Sequence, residues 1–343
     1  MGTKKNRHHF VPRFYLEGFM DQDNPPYLWL YDKDKHSISK ASSRDVGCRT
    51  LFYAFPKQEG TTDTNTLEDL LQEYESQVAP LIRKIESRGD LTNEERSVLS
   101  LFLGLTLARV PNFRSMIETS KARIVKEISV RMAQAGGFEK VKEELAKEGK
   151  PIDEELHSKM VEMMKNGKFD VEVFPHASIE PFLKLAMDMA PLFHQMYWTF
   201  LVAKGGYSFV TSDNPLAYAN PMHDPKSSYG VGLGHQNVEV TFPITQKLAL
   251  FAGWKDSGSL YQKVTDATVQ TVNRRTIKNA QRFIYAPFYD EGFSRLVWRT
   301  SGEFPHPDLS VIPTDKSTYF VFKGMALTDE TNLRQLVVRH ACR

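Results

Sequence analysis

The sequence predicts an α+β fold in which a helical middle packs on a mainly antiparallel C-terminal sheet, preceded by a short N-terminal β-hairpin. Strand-like runs of apolar and aromatic residues occur in the first 60 residues and again after residue 205, whereas residues 66–203 follow a helical period. Hydrophobic residues make up 41% of the 343-residue chain and charged residues 25%, as in ordinary globular proteins. We therefore expect one large domain, 1–343, composed of these three sections.

The N-terminal section, residues 1–60, predicts a brief helix and a hairpin. Pro12 suits the first turn of a helix because its φ is fixed, and apolar residues follow it as far as Phe19. The run Leu28–Tyr31 predicts a strand that enters a turn of four charged residues, and Ser37–Lys40 predicts the returning strand.

A long helix begins the helical section. Apolar residues at helical spacing from Leu67 to Ile85 mark its buried face, and Thr66 is expected to cap it. The acidic residues of this segment are expected on its outer faces: Glu68, Asp69, Glu73 and Glu75.

Further signals divide the rest of the helical section. Thr92 and Glu95 have the spacing of a capping box, which starts a second helix. Pro111 is expected to end or kink that helix because proline lacks the backbone N–H. Residues 137–168 are rich in charge and predict a solvated helical excursion, whereas Ala177–Val202 is strongly apolar and predicts a core helix.

The C-terminal section, residues 205–343, predicts strands separated by turns, with one helix. Tyr207–Thr211 predicts a strand that ends in the turn Ser212–Pro215. The remaining predicted elements are strands at 238–242, 248–254, 283–286 and 318–322 and a helix at 265–281.

Charge and cysteine content limit which ligands and which cellular compartment are expected. The 44 Lys and Arg residues nearly balance the 42 Asp and Glu residues, so any site for a polyanion must be local. Cys48 and Cys342 are too few for a disulfide framework, which favours reduced thiols. No apolar run reaches the length of a signal peptide core or a membrane span. These observations predict a cytoplasmic protein that does not bind membranes.

Four separated segments carry a family resemblance. They are His8–Leu16 (HHFVPRFYL), Leu28–Asp32 (LWLYD), Ala108–Arg114 (ARVPNFR) and Phe209–Pro215 (FVTSDNP). In this order, across roughly residues 7–290, they resemble the bacterial domain-of-unknown-function family numbered 4238. The resemblance implies no established activity, but it marks the segments in which a site is expected.

The segment from His8 to Pro12 also resembles the histidine strand of HNH nucleases. There the first of two adjacent residues binds a divalent metal and the second, a histidine, activates the attacking water, which implies these roles for His8 and His9. A neutral imidazole accepts a proton from water near pH 7, and a metal steadies the leaving oxygen. HNH proteins also place an asparagine and a further histidine downstream, and residues 14–20 provide neither.

A second arrangement joins this segment to the turn after Val210. If the turn brings Asp213 and Asn214 next to His8 and His9, the group is able to hold Mg²⁺, Mn²⁺ or Zn²⁺ or to perform metal-free acid–base chemistry. In this hypothesis His8 and Asp213 bind the metal, His9 is the general base, and Asn214 helps to position the substrate. Basic side chains are expected to bind the substrate: Arg13, Arg109, Lys5 and Arg7.

Each of these features also has a structural interpretation. Asp213 and Asn214 suit a tight turn, in which the aspartate bonds backbone N–H groups and the asparagine stays extended before proline. Arg109 is expected to satisfy carbonyls near Pro111 or to pair with helix acids. A disordered N-terminal arm is the alternative for the two histidines.

The predicted function is that of a metal-dependent phosphodiester hydrolase, a nuclease, with nucleic acid or a nucleotide as its substrate. The resemblance to bacterial families adds the expectation of a toxin or phage-defence effector, with a protein partner in that system. Two alternatives remain: a non-catalytic sensor or partner-binding subunit, and a hydrolase or transferase acting on nucleotides. Proximity of His8 or His9 to Asp213 would favour the enzyme.

Overall fold

The computed structural model describes residues 5–57, 60–150, 152–223, 231–302, 308–313, 318–323, 332–335 and 337. The chain forms two compact units, one within residues 1–114 and 179–343 and the other within residues 115–178. Helices and mostly antiparallel strands segregate along the chain, so the fold is α+β, as the sequence predicts.

The strands lie in the first unit, and most of them pair antiparallel. They are β1 (Arg7–His9), β2 (Tyr27–Asp32), β3 (Ser37–Ser42), β4 (Cys48–Thr50), β5 (Phe55–Pro56), β6 (Thr62–Asp63), β7 (Tyr197–Ala203), β8 (Thr211–Ser212), β9 (Ala217–Ala219), β10 (Glu239–Thr245), β11 (Leu248–Gly253), β12 (Tyr261–Val264), β13 (Phe283–Ala286), β14 (Asp308–Pro313) and β15 (Thr318–Lys323). Five form a sheet in the order β12-β7-β11-β10-β9, with only β12 and β7 parallel, and four form a second sheet in the order β3-β2-β13-β8.

The helices follow the predicted middle of the chain and recur near its end. They are α1 (Arg13–Leu16), α2 (Thr66–Glu86), α3 (Asn93–Ala108), α4 (Pro111–Gln134), α5 (Gly137–Lys147), α6 (Glu154–Lys165), α7 (Ile179–Gln195), α8 (Asp266–Asn279) and α9 (Glu291–Arg299). None of these helices combines the length and the hydrophobicity needed to cross a bilayer.

The core of the first unit lies between helices and the five-stranded sheet. Phe102 of α3 meets Phe242 of β10 edge-on, with ring centroids 6.1 Å apart. Tyr15 of α1 stacks on the same Phe242 at 5.1 Å and donates a hydrogen bond to the Pro243 carbonyl. The segment that follows the two histidines is therefore anchored to the sheet through a buried aromatic cluster.

The second unit contains residues 137–168, the segment predicted as a charged excursion. No residue of α5 is buried, and in α6 only His157 is buried. Ion pairs such as Lys159 with Glu155, at 2.6 Å, cover the helix surfaces. Apolar side chains are also exposed in this unit, among them Val125, Ile128, Met132, Val141, Leu156, Met160, Met163 and Phe174.

Several local predictions are confirmed. β2 and β3 form the N-terminal hairpin, and β10 and β11 form the C-terminal one. Thr92 and Glu95 make both hydrogen bonds of a capping box at the start of α3. α3 ends at Ala108, and Pro111 opens α4. Cys48 is a free thiol, and Cys342 lies outside the described residues.

Other local predictions are wrong, each for a physical reason. The apolar run Ala177–Val202 is not one helix, because α7 ends at Gln195 and the aromatic and β-branched residues after it form β7 between β11 and β12. The strand predicted at 207–211 is reduced to β8, since the N–H of Val210 bonds the side chain of Asn273 instead of a strand.

The start of α2 also differs from the prediction. Asp63, and not Thr66, satisfies the first N–H groups, accepting from Asn65 and Thr66 at 2.9 Å each. This arrangement fixes the first turn of α2 and with it the side chain of Glu68.

Candidate functional site

The two adjacent histidines lie on β1, which pairs antiparallel with β4. His8 is fully buried and stacks on Tyr53, with centroids 5.6 Å apart and ring planes 8° from parallel. Its Nδ1 accepts from the Tyr53 backbone N–H at 2.7 Å, and its Nε2 lies 3.0 Å from the Lys5 carbonyl, to which it donates. Both ring nitrogens are occupied, so the predicted catalytic and metal-binding roles of His8 do not fit the structure.

His9 points to the opposite face of the strand, as the alternation of strand side chains requires. Its Nε2 is buried and has no hydrogen-bond partner among the described residues. The pKa of His9 is lowered by burial, with smaller effects from the charges of Arg7, Arg109 and Arg13, and is raised in part by a hydrogen bond to the Arg44 backbone. A neutral imidazole with a free nitrogen is the form that a general base requires.

Two carboxylates of α2 lie beside His9 and not on the predicted outer faces. Glu68 is 3% exposed, and Glu75 lies two turns along the same helix. Burial is the main cause that raises the pKa of Glu68 to about 7, and the charge of Glu75 raises it further, whereas a hydrogen bond from the His9 backbone lowers it. Glu68 thus binds a proton at a higher pH than an exposed glutamate does.

Arg109, at the C-terminal end of α3, joins His9, Glu68 and Glu75 in one group of ionisable side chains. The side chain is 1% exposed, and its Nη1 donates to Glu75 Oε1 at 2.8 Å. Its Nε and Nη2 have no partner within the described part of the chain. Burial raises the pKa of Glu75, and the charge of Arg109 opposes that rise. A buried cation with unused donors is unusual in a purely structural pair.

A cavity of about 560 Å³ lies over this group and falls in the size range of ligand sites. Arg13, Arg44 and Gln72 are exposed at its surface, so the cavity is open to solvent. Arg13 pairs through its Nε with Glu17 at 3.0 Å. The cavity is lined by His9, Arg13, Phe14, Glu17, Arg44, Glu68, Gln72, Glu75, Ser76 and Ala79.

Lys5 and Arg7, predicted to bind substrate, are engaged with the protein and do not line the cavity. Lys5 Nζ lies 2.6 Å from Gln72 Oε1 and 2.7 Å from Asp69. Arg7 pairs with Asp45 at 2.8 Å. These contacts hold the N-terminal strand against its neighbours, and both cations act on the site only through their charge.

The predicted partner turn is structural. The carboxylate of Asp213 accepts from the backbone N–H groups of residues 281, 282 and 283, each at 2.9 Å. Burial raises its pKa to about 6 against the effect of these hydrogen bonds. Asn214 donates to the Asn279 carbonyl at 3.0 Å, and Asn279 donates back to the Asn214 carbonyl at 2.7 Å. The sequence predicts both residues in the catalytic group. In the structure their hydrogen bonds instead connect the turn after β8 to residues at and beyond the end of α8.

The structure does not assemble the predicted metal site. Among the described residues, no hydrogen bond or ion pair links Asp213 or Asn214 to either histidine, and no three His, Cys, Asp or Glu side chains are grouped as metal ligands. Since the ligand atoms of His8 and Asp213 already bond the backbone, these residues do not fit Mg²⁺, Mn²⁺ or Zn²⁺. Of the predicted site residues, His9, Arg13 and Arg109 are brought together.

Sequence reasoning missed Glu68 and Glu75. The available signal was helical phase: Glu75 stands four residues after Leu71 and three before Val78, both of which are buried. An acidic residue within an apolar stripe indicates a buried carboxylate that needs a partner, and Arg109 is that partner.

Comparison with known proteins gives one result at the family level. No curated protein and no solved structure matched the chain. The profile of the family described as protein of unknown function (DUF4238) matches residues 7–287, a span that contains β1, α2 and Arg109. The chain therefore belongs to the DUF4238 family of proteins of unknown function.

Proposed function

We propose that this protein is a phosphodiester hydrolase that works by general acid–base catalysis, with His9 as the base and Glu68 as the acid. The observation that carries the proposal is the buried, unpartnered Nε2 of His9, a residue that lines the same open cavity as Glu68 and Glu75. Buried polar atoms without partners are rare in folded proteins, and a ligand commonly supplies what the protein leaves unsatisfied.

The proposed base is suited to its role by its surroundings. Burial and the neighbouring cations keep His9 neutral near pH 7, so its Nε2 is able to accept the proton of an attacking hydroxyl or water. The Tyr53 hydroxyl donates to the His9 carbonyl at 3.2 Å, which fixes the backbone from which the imidazole projects.

The proposed acid is the complementary group. Glu68 carries a proton at slightly acidic pH because it is buried beside Glu75. In the proposed step His9 takes the proton of the nucleophile and the nucleophile bonds to phosphorus. The bond from phosphorus to the leaving oxygen breaks, and Glu68 gives its proton to that oxygen. When the pKa values of two neighbouring titratable groups are shifted in opposite directions, as for His9 and Glu68, the pair has a recognised property of acid–base sites.

Cationic side chains are placed to receive the anionic phosphate. Arg13 and Arg44 are exposed at the cavity surface, where a guanidinium is able to bond two phosphate oxygens at once. The exposed Arg13–Glu17 pair contributes little stability, so a phosphate is able to replace it. Arg109 holds Glu75 from beneath and acts as a positioning residue.

This proposal keeps the phosphodiester substrate of the sequence hypothesis and assigns both proton transfers to protein side chains. The cavity supports a hydrolase better than a partner-binding subunit, because a docking surface does not require a free imidazole nitrogen. The toxin or phage-defence role stays a prediction, since no contact among the described residues bears on it.

Activity measurements on substituted proteins test the proposal. We expect purified protein to hydrolyse bis(4-nitrophenyl) phosphate or a nucleic acid in buffer containing EDTA. His9→Ala and Glu68→Gln are each expected to lower kcat/KM by at least about 100-fold, as loss of a general base or acid does.

Two matched variants control for indirect effects. Glu73→Gln changes an exposed carboxylate of the same helix, and His235→Ala removes an exposed imidazole. Both should retain wild-type activity, and thermal melts should show that all four variants fold. Full activity of folded His9→Ala would eliminate the proposed base, and inactivity of the wild type on every diester would favour the partner-binding alternative.

A further inference from the structure

A second cavity adjoins the cavity over His9. This second cavity, of about 420 Å³, shares three lining residues with the first, namely Phe14, Glu17 and Ala79. The second cavity carries its own exposed cations, Arg83 and Lys247. The groove is defined here as these two adjoining cavities, each of which carries exposed guanidinium or ammonium groups.

An aromatic side chain stands at the junction of the two cavities. Phe14 is half-buried and packs on Phe102 at 5.9 Å between centroids, which holds its ring in place while part of it stays accessible. Nucleic-acid bases stack on such rings, and only an unpaired base is free to do so. A groove longer than one nucleotide, with a stacking ring in the middle, suits a flexible strand better than a single nucleotide.

We infer that the substrate is single-stranded RNA, bound along this groove with a phosphate at His9 and Glu68 and an adjacent base on Phe14. The inference rests on the proposed function and narrows its substrate class. Its chemical basis is the source of the nucleophile. The cavity offers one base and one acid, and RNA itself supplies a nucleophile, the 2′-hydroxyl next to each phosphate.

The reaction balances with these groups alone. His9 takes the 2′-hydroxyl proton, the 2′-oxygen bonds to phosphorus, the bond from phosphorus to the 5′-oxygen breaks, and Glu68 protonates that leaving oxygen. The products are a 2′,3′-cyclic phosphate and a 5′-hydroxyl. In a second step Glu68 takes a proton from water and the resulting hydroxide bonds to phosphorus. The bond from phosphorus to the 2′-oxygen breaks, and His9 returns its proton to that oxygen, leaving a 3′-phosphate.

Three oligonucleotides of one sequence test the inference: RNA, DNA, and RNA with every 2′-oxygen methylated. In EDTA we expect cleavage of the RNA with 2′,3′-cyclic phosphate ends. The methylated RNA and the DNA should be cleaved at least about 100-fold more slowly, because neither offers the nucleophile that His9 would activate. Pre-annealed duplex RNA should also be cleaved poorly.

The outcomes separate this inference from the proposed function. Equal cleavage of RNA and methylated RNA, or preference for DNA or duplex RNA, would overturn the inference and leave the hydrolase proposal standing. Hydrolysis of bis(4-nitrophenyl) phosphate without RNA cleavage would do the same. Inactivity on every substrate would overturn both.

A substitution in the groove adds a readout of binding. Phe14→Ala should raise KM for RNA by about tenfold with little change in kcat, since stacking on an aromatic ring contributes about 1–3 kcal/mol per base. Phe174→Ala removes a phenylalanine that is 68% exposed in the other unit and should leave KM unchanged. An unchanged KM for a folded Phe14→Ala protein would show that no RNA base stacks on Phe14.

Discussion

Arg109 shows how a single residue sets the charge of the cavity. Its guanidinium is removed from water, is paired with one carboxylate, and keeps two nitrogens unpartnered among the described residues. Removing one member of a buried ion pair generally costs about 3–5 kcal/mol because the other charge is left uncompensated. The charge of Arg109 favours the ionised form of Glu75, and a negative Glu75 adds to the effect of burial in raising the pKa of Glu68.

The pH dependence of activity follows from the two shifted groups. His9 must be unprotonated, so activity should rise with pH through a pKa below 6.5. Glu68 must be protonated, so activity should fall as pH rises through about 7. We therefore expect kcat/KM to follow a bell-shaped curve with its maximum at slightly acidic pH, measured from pH 4.5 to 9. The charged neighbours that set these limbs are Lys5, Arg7, Arg13, Glu75 and Arg109.

Substitutions should identify each limb of the curve. Glu68→Gln should lose the alkaline limb and keep the acid limb in its residual activity, whereas exposed Glu73→Gln should keep both. A maximum above pH 8 would contradict the assignment of Glu68 as the acid.

At this scale the sequence indicated the strand on which His9 lies but not the partners of its side chain. Adjacent histidines next to a helix start drew attention to the right strand, and strand alternation separated His8 from His9. The sequence predicts an exposed Glu68 side chain, because charged residues on helices normally face water. Only the fold shows that α2 turns this face toward β1 and Arg109.

Among the elements, α3 and α7 pack closely against each other. A Cβ on Gly104 would lie 3.1 Å from the carbonyl carbon of Ala186 and closer still to its oxygen. Glycine is therefore the residue that lets the two backbones approach, and the approach fixes the direction in which α3 delivers Arg109.

Gly104→Ala should destabilise the fold by roughly 1–3 kcal/mol, because the added methyl group forces the helices apart. Urea denaturation followed by circular dichroism measures this change in the free energy of unfolding. Gly234→Ala is the control, since a Cβ at that exposed glycine meets no atom within 4 Å. Equal stability of both variants would contradict the close packing.

Helix ends that are encoded by nearby residues were predictable from the sequence. The boundary between α7 and β7, which depends on pairing with distant strands, was not. The capping box of α3 and the proline at the start of α4 are encoded within a few residues. The end of α7 is not, because Tyr197–Ala203 is apolar enough for either a buried helix or a strand. Its pairing with β11 and β12, more than 40 residues away, decides the outcome.

For the whole molecule, the small net charge of +2 limits how the proposed RNA substrate would bind. No general positive field attracts a polyanion from a distance, so affinity must come from the few cations of the groove. Two of the acids that line it, Glu17 and Glu86, offset part of that charge.

We therefore expect RNA affinity to depend only moderately on salt. Two to four phosphate contacts predict a slope of log Kd against log salt concentration of about 1.4 to 2.8, at about 0.7 per contact for single strands. Fluorescence anisotropy with a methylated RNA from 50 to 400 mM NaCl measures the slope without cleavage. A slope above about 5 would place most of the binding surface outside the groove.

The three-residue strand β1 has an evolutionary consequence. Because side chains alternate along a strand, inserting or deleting one residue before His8 while the pairing with β4 stays in place would exchange the environments of the two imidazoles. The ring that stacks on Tyr53 would then face the cavity, and the His9 ring would be buried in the core. Descendants of this chain should therefore tolerate many substitutions near the N-terminus but few length changes between Lys5 and Pro12.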